Sequence, residues 1–420
     1  MLPRCFYPAV VFVKSEWDVV VAGGGPAGLF FAIKAAEGGL DVLVLDKKQE
    51  IGSPVRCAEG LGVDGVNMLL NAGLPDSDGW KGWPVKGAYL YAPNGRSVRI
   101  PGNGYVVERP IMEREMAKAA TRKGARVLAA HDVCDVIKEG GRVAGVRARF
   151  LGEEREFRAP LVIAADGFES LLARKAGLNT FQPAYHVDSG FEYLMSGLDV
   201  DADAIHLFFG RDVAPRGYVW IFPKGDDTAN VGIGIDARLD ATAKQYLDRW
   251  IEKHGKDYGL SSASVLEVRG GGIPVGGFLK KMTADGLIVV GDAAHQVHPL
   301  HGGGMFLAME AAEIAADVAL KAFERGDFTD STLSEYNDRW WKLRGRSLET
   351  ALKLRYAFER LDDEDFNYLV DVLGSEDVLA MAEGDAGAVR SIALRVLKDR
   401  PRLAWKFREF IGDVVMGSGG

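Results

Sequence analysis

An α/β (α+β) fold is what this sequence predicts: a parallel-sheet domain, an antiparallel sheet inserted into it, and a helical C-terminal region. Three observations carry that expectation. Near the start, "WDVVVAGGGPAGLFFAIKAAEGGLDVLVLD" passes from a buried strand through glycines into helical apolar spacing and a second strand. From 181 to 264 the chain reads as short strands with turns between them, notably "AIHLFFG", "RGYVWIFPKG" and "TANVGIGI". From Thr329 onward it is mostly helical. A length of 420 residues suits roughly two or three domains. The expected division is 17–82, 102–180 and 265–328 for the parallel-sheet domain, 83–101 and 181–264 for the antiparallel sheet, and 329–420 for the helices, with a leader at 1–16.

The leader holds "FYPAVVFV" at 6–13, well short of the ~18 apolar residues that span a bilayer and without a cleavage pattern. It reads as an extra edge strand, a disordered leader or the product of an upstream start codon. After it, 17–22 forms a buried strand, and Gly23, Gly25 and Gly28 supply G-x-G-x-x-G. Gly23 permits the tight turn, Gly25 lets the backbone approach a pyrophosphate, and Gly28 lets helix and strand pack closely. The helix N-terminus attracts the phosphate charge. A second strand, 41–46, ends in Asp46, placed to accept hydrogen bonds from a ribose. Together these predict a Rossmann-like dinucleotide site.

Two later segments repeat a strand running into an acid. "LVIAADGFESLLARKAG" (161–177) carries Asp166-Gly167 and Ser170; "GLIVVGDAAHQVHPLHGGGMFLAMEAA" carries Gly291-Asp292, Pro299 and three glycines before a long helix. In this order the motifs resemble the FAD enzymes built like para-hydroxybenzoate hydroxylase, whose corresponding motif is GDAAxxxxPxxGxG. The resemblance implies FAD, with Asp292 on the ribityl chain and Gly303, Gly304 and Met305 facing the isoalloxazine. His295, His298 and His301 lie in this stretch, three of seven histidines. Pro299 and the glycines break any helix through all three, so a metal site is not expected. They read as loop histidines, with His298 or His301 a candidate proton donor near the flavin.

Pro215, Tyr218, Trp220, Phe222 and Pro223 form P-x-x-Y-x-W-x-F-P, and Gly232 and Gly234 follow. On a strand the three aromatics share one face. That face is either a wide apolar wall for a long hydrocarbon or a surface packed against helices. P-x-x-Y-x-W-x-F-P-x8-G-x-G resembles the geranylgeranyl reductases, and "IGSPVRCAEGLG" (51–62) and "YVVERPIMEREMA" (105–117) resemble their archaeal branch, whose members act on digeranylgeranylglycerophospholipids. The likeness covers 17 to about 360. It implies an FAD set of Ala27, Asp46, Cys57, Ala58, Gly60, Arg109, Val133, Asp292, Gly304 and Met305. It also implies substrate contacts at Tyr218, Trp220, Phe222, Pro223, Gly232 and Gly234, and hydride transfer from reduced flavin to the double bonds of a prenylated lipid. Tyr218, Trp220, Cys57 and His298 are the catalytic candidates. Aromatic faces stabilise a cation-like transition state, and Cys57 is either a proton source or a small buried contact beside the ring. Departures are Asp46 where the family often has Glu, His298 and His301 where Asn and Thr are expected, and Arg174 one residue beyond the usual D-G-x-x-S-x-x-R spacing.

Composition narrows the partners. Lys and Arg total 51 against 59 acidic residues, a net −8 that gives a nucleic-acid backbone no attraction. Cys5, Cys57 and Cys134 are too few for a disulfide framework, so a reducing cytoplasm is expected. "RPRLAWKFREFIGDVV" (400–415) mixes cations with aromatics, suited either to the inner face of a membrane or to packing as a terminal helix. No second glycine-rich βαβ unit appears, so the electron donor is NADPH or a small carrier such as ferredoxin. The rival readings are a flavin monooxygenase or halogenase of the same fold, and a flavin-bearing protein that holds prenyl lipids without reducing them.

Overall fold

The computed structural model describes residues 14–406, so the segment 6–13 lies outside the described residues. A six-stranded sheet organises the first domain, in the order Thr283–Ala284, Leu287–Val289, Leu161–Ala164, Val19–Ala22, Val42–Leu45, Arg126–Leu128. All its pairings are parallel except the outermost, between Thr283–Ala284 and Leu287–Val289. The central strands, VVVA, VLVL and LVIA, are buried at every position. Continuous apolar runs of this kind are what a sheet covered on both faces requires. The helices Pro26–Glu37 and Met305–Arg325 pack on one another, and Arg109–Arg122 packs beside the former. A three-stranded antiparallel sheet (Asp132–Glu139, Arg142–Phe150, Glu153–Arg158) sends Val146, Ala148 and Phe157 into the same core.

The second sheet has eight strands, ordered Ser264–Pro274, Val187–Ser196, Thr228–Asp236, Tyr218–Pro223, Ile205–Phe208, Trp83–Tyr91, Ser97–Val106, Gly60–Gly62. It is larger than the sequence predicts. Ser97–Val106 runs past residue 101, and both edges come from segments expected in the other domain. Backbone pairing causes this: Gly60–Gly62 pairs with Gly104–Val106, drawing the loop after the second Rossmann-like strand onto this sheet.

One face of the large sheet is covered by the helix Ala243–His254. Val219, Ile221, Val231, Ile233 and Ile235 form a separate core there with Leu247 and Trp250. The alternation of two per strand leaves Tyr218, Trp220 and Phe222 on the opposite face. The C-terminal helices build a third core from Leu354, Leu361, Leu369, Met381, Ile392 and Leu403. Leu403 belongs to Pro401–Lys406, whose Lys406 pairs with Asp362 at 2.8 Å; Phe407, Arg408, Phe410 and Ile411 lie outside the described residues. Among the described residues no helix is long and apolar enough to cross a membrane.

Candidate active site

The glycine turn follows from steric necessity. Gly23 adopts φ +111°, and a side chain there would come within 2.1 Å of the Ala165 carbonyl oxygen. A Cβ on Gly28 would meet the Gly23 carbonyl oxygen at 2.0 Å. Gly25 differs: nothing lies within 4 Å of its Cβ position, so the backbone there faces open space. Asp46 is buried and accepts hydrogen bonds from the Gly24 amide and the Lys48 amide, both at 2.7 Å. Its carboxylate therefore pins the turn as well as facing the site. Half-buried Val133 follows His131, whose amide donates to the Asp46 carbonyl at 2.8 Å.

A second cradle faces the first. Ser170, at φ +44°, donates to the Ala293 carbonyl at 2.9 Å, which ties the Asp166-Gly167 turn to the Gly291–Ala294 turn. Gly291 has φ +69°, and a side chain there would press on Ala27 at 3.0 Å. Asp292 lies close enough to Gly304 that a Cβ there would be 3.2 Å from its Oδ1. Burial pushes the Asp292 carboxyl up, and the Arg109 guanidinium pulls it down. Met305 begins the long helix.

Hydrogen bonds and a ring stack hold the histidines. His295 engages the Gly277 and Thr180 carbonyl oxygens at 2.7 and 3.2 Å, His298 and His301 stack with centroids 3.8 Å apart, and His301 Nδ1 accepts from the Gly303 amide. Among the described residues no group of three His, Cys, Asp or Glu is arranged to hold a metal ion. Burial drives the His298 imidazolium down to about 2 and that of His301 to about 4. Both rings are neutral near pH 7, which makes His298 a weak proton donor.

The loop of Cys57, Ala58 and Gly60 runs into the edge of the large sheet. Its anchor is a residue the sequence reading passed over. Glu59, fully buried at φ +71°, accepts from Lys224 Nζ at 2.7 Å, Asn230 Nδ2 at 2.8 Å and Arg269 at 3.0 Å. Its other oxygen accepts from the Arg109 amide at 3.0 Å, and its own amide donates to Cys57 Sγ at 3.2 Å. Asn230 also donates to the Ala58 carbonyl at 3.1 Å. Burial raises the Cys57 thiol above its ordinary range, opposed by the nearby Arg109 guanidinium. That guanidinium is itself fixed on Glu113 at 2.6 Å.

The aromatic strand meets this loop rather than a helix. Phe222 lies where a Cβ on Gly60 would be, at 2.6 Å, and Tyr218 donates its hydroxyl to the His301 carbonyl at 2.6 Å. Trp220 lies across Gly232, whose Cβ position is 2.4 Å from its ring, and its Nε1 donates to Glu192 at 2.8 Å. Gly234 pairs with Tyr218. Pro223 is a correction to the expected substrate contacts: two-residue alternation puts it on the opposite face, with Val219 and Ile221.

Asn230 was legible in the period-two series it shares with Gly232 and Gly234. Arg269 had a weaker signal, a charge inside the strand run "SVLEVRGGG". A second missed group is Asp188, held by Arg216 at 2.6 Å and by Arg355 at 2.9 Å, the latter also donating to the Pro299 carbonyl at 2.9 Å.

Residues 186–273 match the geranylgeranyl reductase catalytic domain, residues 18–85 an FAD binding domain, and residues 278–359 squalene epoxidase. Digeranylgeranylglycerophospholipid reductase 2 of Methanopyrus kandleri is 40% identical over 92% of this chain and 98% of its own. The chain belongs to the digeranylgeranylglycerophospholipid reductase family. Another member, from Methanosarcina acetivorans, is 37% identical over 96% of this chain and 98% of its own. A geranylgeranyl bacteriochlorophyll reductase-like protein of Thermoplasma acidophilum superposes with a TM-score of 0.84 at 33% identity, covering 94% of this chain and 99% of that one. A flavin-dependent brominase superposes at 0.72 with 20% identity over 88% of this chain and 94% of its own, which shows a shared fold alone.

The cofactor of this family member is FAD, and the cradle fits it. Gly25 opens onto free space, and both Pro26–Glu37 and Met305–Arg325 start at glycines with no side-chain cap, leaving first-turn amides for negative charge. Asp166 Oδ1 is buried without a hydrogen-bond partner, an acceptor at the cradle's edge.

Proposed function

We propose that this protein is an FAD-dependent reductase that saturates the double bonds of geranylgeranyl chains in archaeal-type ether lipids. The observation that carries this reading is the near full-length match to digeranylgeranylglycerophospholipid reductases, with the aromatic strand inside the matched catalytic segment. In this reading Gly23, Gly25, Ala27, Gly28, Asp46 and Val133 hold the adenosine and pyrophosphate end. Cys57, Ala58, Gly60, Arg109, Asp292, Gly303, Gly304 and Met305 surround the flavin. When bound and reduced, FAD supplies a hydride to an unactivated trisubstituted alkene.

The chain's own residues do the rest. Tyr218, Trp220 and Phe222 present ring faces that stabilise the positive charge developing on the tertiary carbon. The same apolar wall excludes the water that would trap it. A proton must reach the other alkene carbon. The Tyr218 hydroxyl proton is engaged by the His301 carbonyl, and His298 is neutral. Cys57 is the acid we assign: burial keeps its thiol protonated, and the Arg109 guanidinium stabilises the thiolate left behind. The sheet from 187 to 236, together with its edge strands, is the substrate-side domain. A prenylated lipid is the substrate, and the electrons would come from NADPH or a small carrier such as ferredoxin.

The test is anaerobic mixing of the photoreduced protein with a digeranylgeranyl lipid, followed by mass spectrometry. Flavin reoxidation with a mass gain of two per double bond supports the reading. Binding without reoxidation means a carrier; oxygen consumption coupled to hydroxylation means a monooxygenase.

A further inference from the structure

Beneath Trp220 lies a charge cluster that extends from the Glu59 anchor of the Cys57 loop to a carboxylate given no role so far, Glu192. On the site-facing side of the sheet, Glu192 accepts from Trp220 Nε1 at 2.8 Å with one oxygen and from Arg269 at 3.2 Å with the other. The same Arg269 nitrogen reaches Glu59 at 3.0 Å and Asn230 at 3.3 Å, while its second terminal nitrogen pairs with Glu267 at 2.7 Å. Lys224 bridges Glu59 at 2.7 Å and Glu108 at 3.0 Å. Four carboxylates thus share two cations, and Glu192 shares its one guanidinium nitrogen with Glu59 without the Lys224 that Glu59 also has. An indole N–H held by a carboxylate is drawn toward its acceptor and gives electron density to its ring. In the reductase reading above, this ring is one of those that meet the electron-poor substrate carbon.

We propose that Glu192 is a positioning residue of the reaction, seating the Trp220 indole and, as a carboxylate, enriching the ring face that stabilises the cation-like transition state. The proposal rests on the reductase reading above. The groups facing Glu192 are the Trp220 indole on one strand, Arg269 on its neighbour, and Glu59 and Cys57 on the loop. Asn230 and Lys224 join through Glu59. Burial pushes the Glu192 carboxyl up to about 7, opposed by the indole and Arg269, with Glu59 adding to the rise. The working, ionised form therefore accumulates as pH rises through about 7.

The test measures reoxidation of the photoreduced holoenzyme by a digeranylgeranyl lipid across this pH range. Wild-type kcat should step upward near pH 7. Glu192→Gln keeps an acceptor for the indole and should leave KM unchanged, lower kcat about fivefold, the size of one cation–π contact, and abolish the step. Glu192→Leu combined with Trp220→Phe should be no slower than Trp220→Phe alone, because both changes remove one interaction. Bound flavin and thermal midpoint confirm folding of each variant. A Glu192→Gln protein with wild-type kcat and an intact step overturns the proposal alone, as do losses that multiply in the double variant. A wild type that binds FAD and lipid without reducing the lipid overturns the reductase reading and this proposal together.

Discussion

Asp188 and Glu192 sit four residues apart on one strand and face the same way, yet their surroundings differ in kind. Asp188 takes Arg216 and Arg355 together, and Glu359 lies against Arg355 at 3.1 Å. Glu192 receives one indole N–H and a guanidinium nitrogen shared with Glu59. A carboxylate gripped by two guanidinium groups, at 2.6 and 2.9 Å, is a fastener even though both also reach Glu359. It joins the sheet to the helix Arg346–Phe358 and, through Arg355, to Pro299 in the histidine loop. A carboxylate with a single cation, shared with another acid buried beside it, is adjustable. Donor count, rather than burial, separates the two, since both residues are buried.

Breaking the fastener should give the largest effect. Arg355→Ala strips Asp188 of one partner inside the protein and is expected to cost about 3–5 kcal/mol of unfolding free energy, read from urea denaturation. Flavin loss should accompany it, because the Pro299 loop loses its anchor. Next comes the pH response of Glu192. Folding raises its pKa, so the native state binds more protons than the unfolded chain between the ordinary carboxylate value and about 7. The stability it contributes is complete at low pH and is lost as pH rises through about 7. Between about pH 5 and pH 8, stability of Glu192→Gln relative to wild type should improve by about 2–3 kcal/mol. A constant difference between the two proteins over that range would erase the contrast with Asp188.

Gly232→Ala sharpens the comparison from the other side. The added methyl meets the Trp220 ring at 2.4 Å and must displace an indole tethered to Glu192. A cost of about 1–3 kcal/mol is expected in thermal denaturation, with the loss in kcat exceeding any change in flavin affinity. Glu359→Gln should matter least. Its carboxylate is partly exposed beside Arg355, and the change should lower stability by about 1 kcal/mol or less in the same urea assay.

Local features were legible because their geometry is set within a few residues. Gly23, Gly25 and Gly28 read as a phosphate turn from their spacing between a strand and a helix, with a second strand ending in Asp46, and the structure gives each glycine a distinct steric or spatial reason. The aromatic face of Tyr218, Trp220 and Phe222 followed from strand periodicity, although Pro223 showed that a motif letter need not share that face. What faced those rings was open between a hydrocarbon channel and helices. The structure puts the helix Ala243–His254 on the other side of the sheet and brings the Cys57 loop and the histidine turn to the rings.

The sequence by itself determined a parallel-sheet dinucleotide domain and an inserted sheet, because strand period, helix period and glycine turns are short-range properties of a chain; FAD came from the resemblance of its ordered motifs to a known family. Only the tertiary structure could bring Glu59 to Asn230 and Arg269, partners 171 and 210 residues away, or stack neutral His298 on His301. The reason is physical. Charge and proton affinity depend on burial and on neighbours in space, and a buried carboxylate is defined by how many donors the fold brings to it.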